Sequence, residues 1–292
     1  MIEDNFNGSR QEFINARFDP PSIIFESKSL QRLTLHYCNL SHDDILHRLR
    51  AIRIDKRARY LKRFEWSGSY DVNELPSLEI DVPSLEKIKI NDCLKRATID
   101  VPNIVMFKYE GFIPESFYFT TTSEKWESDI TLWTRDLFED NSPGLGKVGQ
   151  LLRALSGSEM SLDFGWFYLS AHTVSSFMDN LFCICRPRII QQTLVVGPDS
   201  RYLTDQWGNQ STKVMCKILG MEKGRFESGR ITRGRQWRQD LEKVMFETFD
   251  EREEKWHPVV ERSWSKFWEG LLPKDDSESV EHYMRFRLTW RE

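Results

Sequence analysis

No apolar run in this sequence approaches the roughly 18 residues needed to cross a bilayer, so a helical membrane span is not expected. Cysteine is scarce. Its five residues, Cys38, Cys93, Cys183, Cys185 and Cys216, are odd in number and show no zinc-ligand or redox spacing, so they read as reduced, buried thiols. An excess of positive charge is also missing: 41 Lys and Arg against 45 Asp and Glu leave a formal net charge of -4, which argues against a dedicated nucleic-acid binder. The opening residues Met-Ile-Glu-Asp-Asn have neither the basic region nor the apolar core of a secretory signal, and cytoplasm or nucleus is the expected compartment.

Against these absences stands a repeated pattern. Leu30-Gln-Arg-Leu33-Thr-Leu35-His-Tyr-Cys38-Asn-Leu40 has the spacing of a leucine-rich repeat. Leu85-Glu-Lys-Ile88-Lys-Ile90-Asn-Asp-Cys93-Leu94 echoes it, and Ile104-Val-Met-Phe107-Lys-Tyr109-Glu-Gly111 does so more weakly. Apolar residues two apart lie on one face of a strand, with the polar residues between them on the other. Cysteine is small enough to be buried at the turn that follows.

A second phrase lies between these runs: Leu78-Glu-Ile80-Asp81-Val82-Pro83 returns 19 residues later as Ala97-Thr-Ile99-Asp100-Val101-Pro102. Proline cannot donate to a ladder and holds its predecessor extended, so each Val-Pro pair marks a corner between short strands. One such unit cannot bury its own apolar side, and stacking neighbours is what builds a core. The expected fold is therefore α/β: a leucine-rich-repeat solenoid of short parallel strands, with helices on the convex side in its C-terminal half and a C-terminal cap. Residues 1-26 read as irregular, 27-220 as the solenoid and 221-292 as the capping region.

Within the solenoid, short strands are expected to about residue 135, including Ala51-Ile54, Leu61-Trp66 and Ile130-Trp133. After Ser142-Pro143-Gly144 the period changes. Leu145, Val148, Leu151, Leu152 and Leu155 have helical spacing, with Gly157 as the expected C-terminal cap. Val174, Phe177, Met178, Leu181 and Phe182 predict a second helix ending before Pro187, and 212-219 a third. Strands are expected at Met160-Phe164, Thr193-Val196 and His282-Trp290. Trp256, Trp264 and Trp268, at spacings of eight and four, share one face of a helix that would cover the end of the core.

No catalytic, cofactor-binding or metal-ligating set emerges, and no enzyme activity is expected. Gly144-Leu-Gly146-Lys-Val-Gly149 matches a dinucleotide fingerprint only on paper, because an acidic loop precedes it where a strand is required. His36, His42 and His47, with Asp43 and Asp44, are read as solvated surface; His172 near Ser170, Ser175 and Asp179 has no nucleophile elbow. The run from His47 to Arg63 holds eight Lys or Arg against one Asp. Arg48, Arg50, Arg53, Lys56, Arg57 and Arg59 are its candidate anion-binding residues, since arginine forks pair with phosphate and carboxylate alike.

Taken in order, Ser27-Lys-Ser-Leu30 through Leu40, the two Asp-Val-Pro phrases, Phe107-Lys-Tyr-Glu-Gly111, Met178-Asp-Asn-Leu-Phe-Cys-Ile-Cys-Arg-Pro187 and Arg235-Gln-Trp-Arg-Gln-Asp-Leu-Glu-Lys-Val-Met245 resemble the plant F-box/leucine-rich-repeat proteins. The resemblance spans about residues 22-250. It implies a repeat domain that selects substrates for ubiquitination, joined in that family to an F-box that docks a Skp adaptor of a cullin ligase. Nothing before Leu30 resembles an F-box, so the expectation is either a truncated or mis-started member of that family or a receptor half without a ligase half, and the Skp adaptor is not the expected partner. The partner-binding candidates are residues alternating with the buried ones: Arg32, Thr34 and His36, then Lys87, Lys89 and Asn91, then Lys108 and Glu110. A small-molecule or phosphate-ligand sensor built on the same scaffold is the alternative expectation.

Overall fold

The computed structural model describes residues 10-14, 29-36, 51-68, 75-133, 144-165, 171-196, 215-216, 218-219, 237-259 and 280-291. The fold is α/β, with a large, mostly parallel sheet and few helices. The chain divides into two compact units, Met1–Leu132 with Gly146–Glu159, and Trp133–Leu145 with Met160–Glu292.

In the first unit the first two strands lie side by side, and the strands after them alternate between two parallel sheets. Sheet I is ordered β1 (Arg10–Ile14), β2 (Arg32–His36), β4 (Arg63–Ser67), β6 (Lys87–Asn91), β8 (Met106–Gly111) and β10 (Glu127–Trp133). Sheet II is ordered β3 (Ala51–Ile54), β5 (Ser77–Asp81), β7 (Arg96–Asp100) and β9 (Ser116–Thr120). The 19-residue period read from the Asp-Val-Pro phrases is the register itself: Ser77 pairs with Arg96 on sheet II, and Lys87 with Met106 on sheet I. At the corners Val82 and Val101 are fully buried. Val82 N–H donates to Asp100 O and Val101 N–H to Thr120 O, so each corner stacks on the next.

Inward columns build the core. Leu33, Phe64, Ile88 and Phe107 align on sheet I, and Ile54, Ile80, Ile99 and Phe119 on sheet II. Each fully buried Leu, Ile or Phe contributes about 1.5–3 kcal/mol relative to exposure. The sheets meet through rings: Phe107 lies 5.1 Å from Phe119, which stacks on Trp126 at 5.0 Å.

One N-terminal expectation is overturned. Arg10–Ile14, read as irregular, forms β1 and pairs in parallel with β2, because an exposed ladder edge accepts a short strand whose sequence has no marked period.

Helix α1 (Gly144–Ala154) follows the expected spacing and buries Val148, Leu151 and Leu152, with Leu155 just beyond it. Gly157 is not its left-handed cap, since its φ lies outside that region. Serines close the end instead: Ser156 donates both its N–H and its Oγ to Arg153 O, and Ser158 both its N–H and its Oγ to Leu155 O.

The second unit orders β11 (Glu159–Gly165), β12 (Ile189–Val196), β15 (Val280–Trp290), β13 (Leu241–Asp250) and β14 (Lys255–Pro258). Only β11 and β12 pair in parallel; the other pairs are antiparallel. Helix α2 (Ala171–Ile184) contributes buried Phe177, Met178, Leu181 and Phe182, and a single turn, α3 (Trp237–Asp240), precedes β13. The region read as a cap thus adds three strands to the sheet of this unit. Trp256 sits on strand β14 beside Phe249, not on a helical face, because 255-258 pairs with β13 across a hairpin. Trp264 and Trp268 lie outside the described residues, and of the expected helix at 212-219 only Met215, Cys216, Ile218 and Leu219 are described, all buried. Among the described residues no helix is long and apolar enough to cross a membrane.

Candidate recognition face

The alternation that fills the core of the first unit turns the remaining side chains of sheet I outward. Three columns result: Arg32, Arg63, Lys87, Met106 and Glu127; Thr34, Glu65, Lys89, Lys108 and Asp129; and Ser67, Asn91, Glu110 and Thr131, with His36 at the head of the last. All but one of the partner-binding candidates whose burial is described are at least partly accessible. Thr34 is the correction: it is only 2% exposed, and its Oγ1 has no hydrogen-bond partner among the described residues, so register on the outer face did not bring exposure. The side chain of His36 lies outside the described residues.

Several of these charges are already matched. Arg32 Nη2 donates to both carboxylate oxygens of Glu65, at 2.7 and 2.8 Å, and Lys108 Nζ to Asp129 at 2.8 Å. At the strand entrances Lys62 Nζ meets Glu86 at 2.6 Å. Arg63, Lys87 and Lys89 are exposed and meet no carboxylate among the described residues.

The strands of this face are tied together at their ends by the turn after β6. Asp92, 2% exposed, accepts from Trp66 Nε1 through Oδ2 and from Cys93 N–H through Oδ1, each at 2.6 Å. Burial pushes its carboxyl up to about 6, against the lowering effect of those two donors. Glycines flank it on both neighbouring strands. A Cβ on Gly68 would fall 1.7 Å from Asp92 Oδ2, and one on Gly111 2.2 Å from Asp92 O. Asp92 N–H donates to Glu110 O and Gly68 N–H to Asn91 O, so the three turns stack through their backbones. Tyr109, fully buried, donates its hydroxyl to Phe112 O. Burial drives the Cys93 thiol up to about 11, the condition of a packing thiol and not a nucleophile.

The candidate anion-binding run is distributed differently. Arg48 and Arg50 lie outside the described residues. Arg53 meets Glu79 at 3.7 Å, Lys56 meets Asp81 at 3.5 Å and Arg57 holds Asp55 at 2.9 Å, while Arg59 is exposed. Three of the four described cations therefore face carboxylates of this chain.

Cys93, Cys185 and Cys216 are buried, as expected, but Cys183 is exposed: α2 turns it away from the face that buries Met178, Leu181 and Phe182. Cys38, His42 and His47 are outside the described residues. Asp179, read near His172, accepts from Trp237 Nε1 at 3.2 Å. Among the described residues one group has the proximity for a metal, Asp250, Glu253 and His257 at the β13–β14 hairpin. All three are exposed and engaged locally: Asp250 Oδ1 caps the N–H groups of Arg252 and Glu253, and Glu253 pairs with His257 at 3.2 Å.

The Trp66–Asp92 bond, the two glycine contacts and the buried Glu247 described below escaped sequence reading, since no local pattern joins residues on different strands. No family model, no curated protein and no solved structure matches this chain.

Proposed function

We propose that this chain is a non-enzymatic recognition scaffold: a leucine-rich-repeat-type solenoid whose outer strand face binds a protein partner, related to the substrate-binding part of plant F-box/leucine-rich-repeat ubiquitin-ligase adaptors. One observation carries the reading. Sheet I presents polar and charged side chains in register on five adjacent strands, over a core whose inward residues, Leu35 excepted, are buried. Such a face offers many modest contacts at fixed spacing, the composition of a binding surface that needs no chemistry of its own.

The test is site-specific photo-crosslinking in plant extract. A crosslinkable residue replaces Asn91 or Glu110 on sheet I, and Thr98 on sheet II as a reference. Specific proteins recovered from the two sheet I positions and not from Thr98 support the scaffold; recovery from Thr98 alone, or from none, rejects it. Skp adaptor and cullin scored in the same samples report the ligase connection. A small-molecule sensor would instead gain stability as RT ln(1 + [L]/Kd) with a ligand from the extract's low-molecular-weight fraction.

A further inference from the structure

The cations of sheet I that meet no carboxylate among the described residues are neighbours. Arg63 on β4 and Lys87 on β6 are register partners, and Lys89 follows two residues later on the same face, between Lys108 on β8 and Glu65 on β4, whose carboxylate is held by Arg32. Like charges directly across a strand pair repel. Elsewhere the same surface pairs its charges, as Arg32 with Glu65 and Lys108 with Asp129. The cluster adjoins exposed apolar surface: Met106, the β8 register partner of Lys87, is 38% exposed, and Val105 before it is 50% exposed. This concentration of positive charge also opposes the sign of the whole chain, whose formal net charge is -4.

We infer that Arg63, Lys87 and Lys89, with Met106 and Val105, form a docking site for an acidic protein segment that also carries apolar side chains. The inference rests on the scaffold reading and names the chemistry of its partner. A carboxylate opposite Arg63 and Lys87 relieves their mutual repulsion, and the guanidinium fork donates two hydrogen bonds to it. An apolar side chain beside that carboxylate removes Met106 and Val105 from water. The occupant is a protein segment and not a nucleic acid, because Glu127 lies in register with Met106 and Glu110 with Asn91. A continuous phosphate backbone would meet those carboxylates, whereas a peptide places its acids only where the cations are.

The experiment is fluorescence anisotropy on the full chain with a fluorescein-labelled peptide alternating Glu with Leu. A Gln/Leu peptide and a single-stranded DNA oligonucleotide serve as comparators. The Glu/Leu peptide is expected to bind about tenfold or more tightly than the Gln/Leu peptide, and less tightly as salt rises. Arg63→Ala with Lys87→Ala and Lys89→Ala removes that preference, and Met106→Ala weakens binding without altering its salt dependence. Lys95→Ala with Arg96→Ala, exposed cations outside this cluster, leaves binding unchanged, and circular dichroism confirms that each variant is folded. Equal affinity for the Gln/Leu peptide, indifference to the triple substitution, or tighter binding of the oligonucleotide overturns the inference. Partners that crosslink from Asn91 in wild type and triple variant alike would sink the acidic site and leave the scaffold standing. Absence of any crosslink from sheet I rejects the scaffold itself, while the peptide result still decides the site.

Discussion

Trp66 Nε1 donates to Asp92 Oδ2 across 26 residues of sequence, joining the inward ring of one strand to the turn that ends the next. The carboxylate that receives it is closed in by Gly68 and the backbone carbonyl of Asp92 by Gly111, so the turn has no room to rearrange.

Gly111→Ala is therefore expected to cost more than Gly68→Ala. The new methyl at 111 meets backbone, which cannot rotate away, while at 68 it meets a carboxylate held by two hydrogen bonds. Both should destabilise the first unit, by about 2 kcal/mol or more, as overpacked sites do. Urea unfolding read by tryptophan fluorescence checks the order; equal midpoints for the two variants and wild type would refute the packing.

The raised Asp92 carboxyl makes a pH prediction. Its folded value, about 6, lies above the ordinary 3.8, so the folded state holds the proton more tightly. The stability it contributes is complete below about pH 4 and is lost as pH rises through about 6. Asp92→Asn cannot titrate, so the difference in stability between the variant and wild type should change between pH 4 and pH 7, in the sense that wild type loses relative to Asn as pH rises. A difference independent of pH would exclude a raised carboxyl. Asp92→Ala, which orphans two buried donors, should cost about 2–4 kcal/mol at either pH.

In the second unit Glu247 is buried between Arg285, at 2.6 Å, and Arg287, at 3.3 Å. The Arg285 guanidinium lies 4.1 Å from the centre of the Trp256 ring. Removing the carboxylate leaves Arg285, 14% exposed, without its counter-charge. Glu247→Ala should destabilise by about 3 kcal/mol, and Glu247→Ala with Arg285→Ala by less than the sum of the two single changes. A double-mutant cycle on thermal unfolding measures the coupling; additivity would show that the pair is not coupled.

Thiol accessibility separates the cysteines. Cys183 is exposed, while Cys93 and Cys185 are buried, and burial holds the Cys185 thiol up to about 12. Cys183 should react with a disulfide reagent in the native state while Cys93, Cys185 and Cys216 wait for unfolding. Peptide mapping after a brief native pulse reads this directly, and labelled Cys93 would contradict the stacked turn.

Much of the first unit was legible because its period is local. Leu78, Ile80 and Val82 announce a strand and its corner within six residues, and the copy 19 residues later announces its neighbour. Strand β1 was missed because Arg-Gln-Glu-Phe-Ile has no alternation; it is a strand only because β2 offers an edge. Thr34 was misjudged for the opposite reason: its position in the alternation was right, but exposure depends on what else packs nearby. Trp256 shows a third limit, since an eight-residue spacing between tryptophans suits a helix until a hairpin partner makes it a strand.

By itself the sequence determined the strand periods, the Val-Pro corners and which side chains face inward, because each depends on residues a few positions apart. Tertiary structure alone decided that Asp92 would be buried under Trp66, that Lys87 would stand beside Arg63, and that Glu247 would lie between two arginines. Those neighbours are 24 to 40 residues apart along the chain, and only the pairing register of distant strands brings their charges and hydrogen-bonding groups within reach.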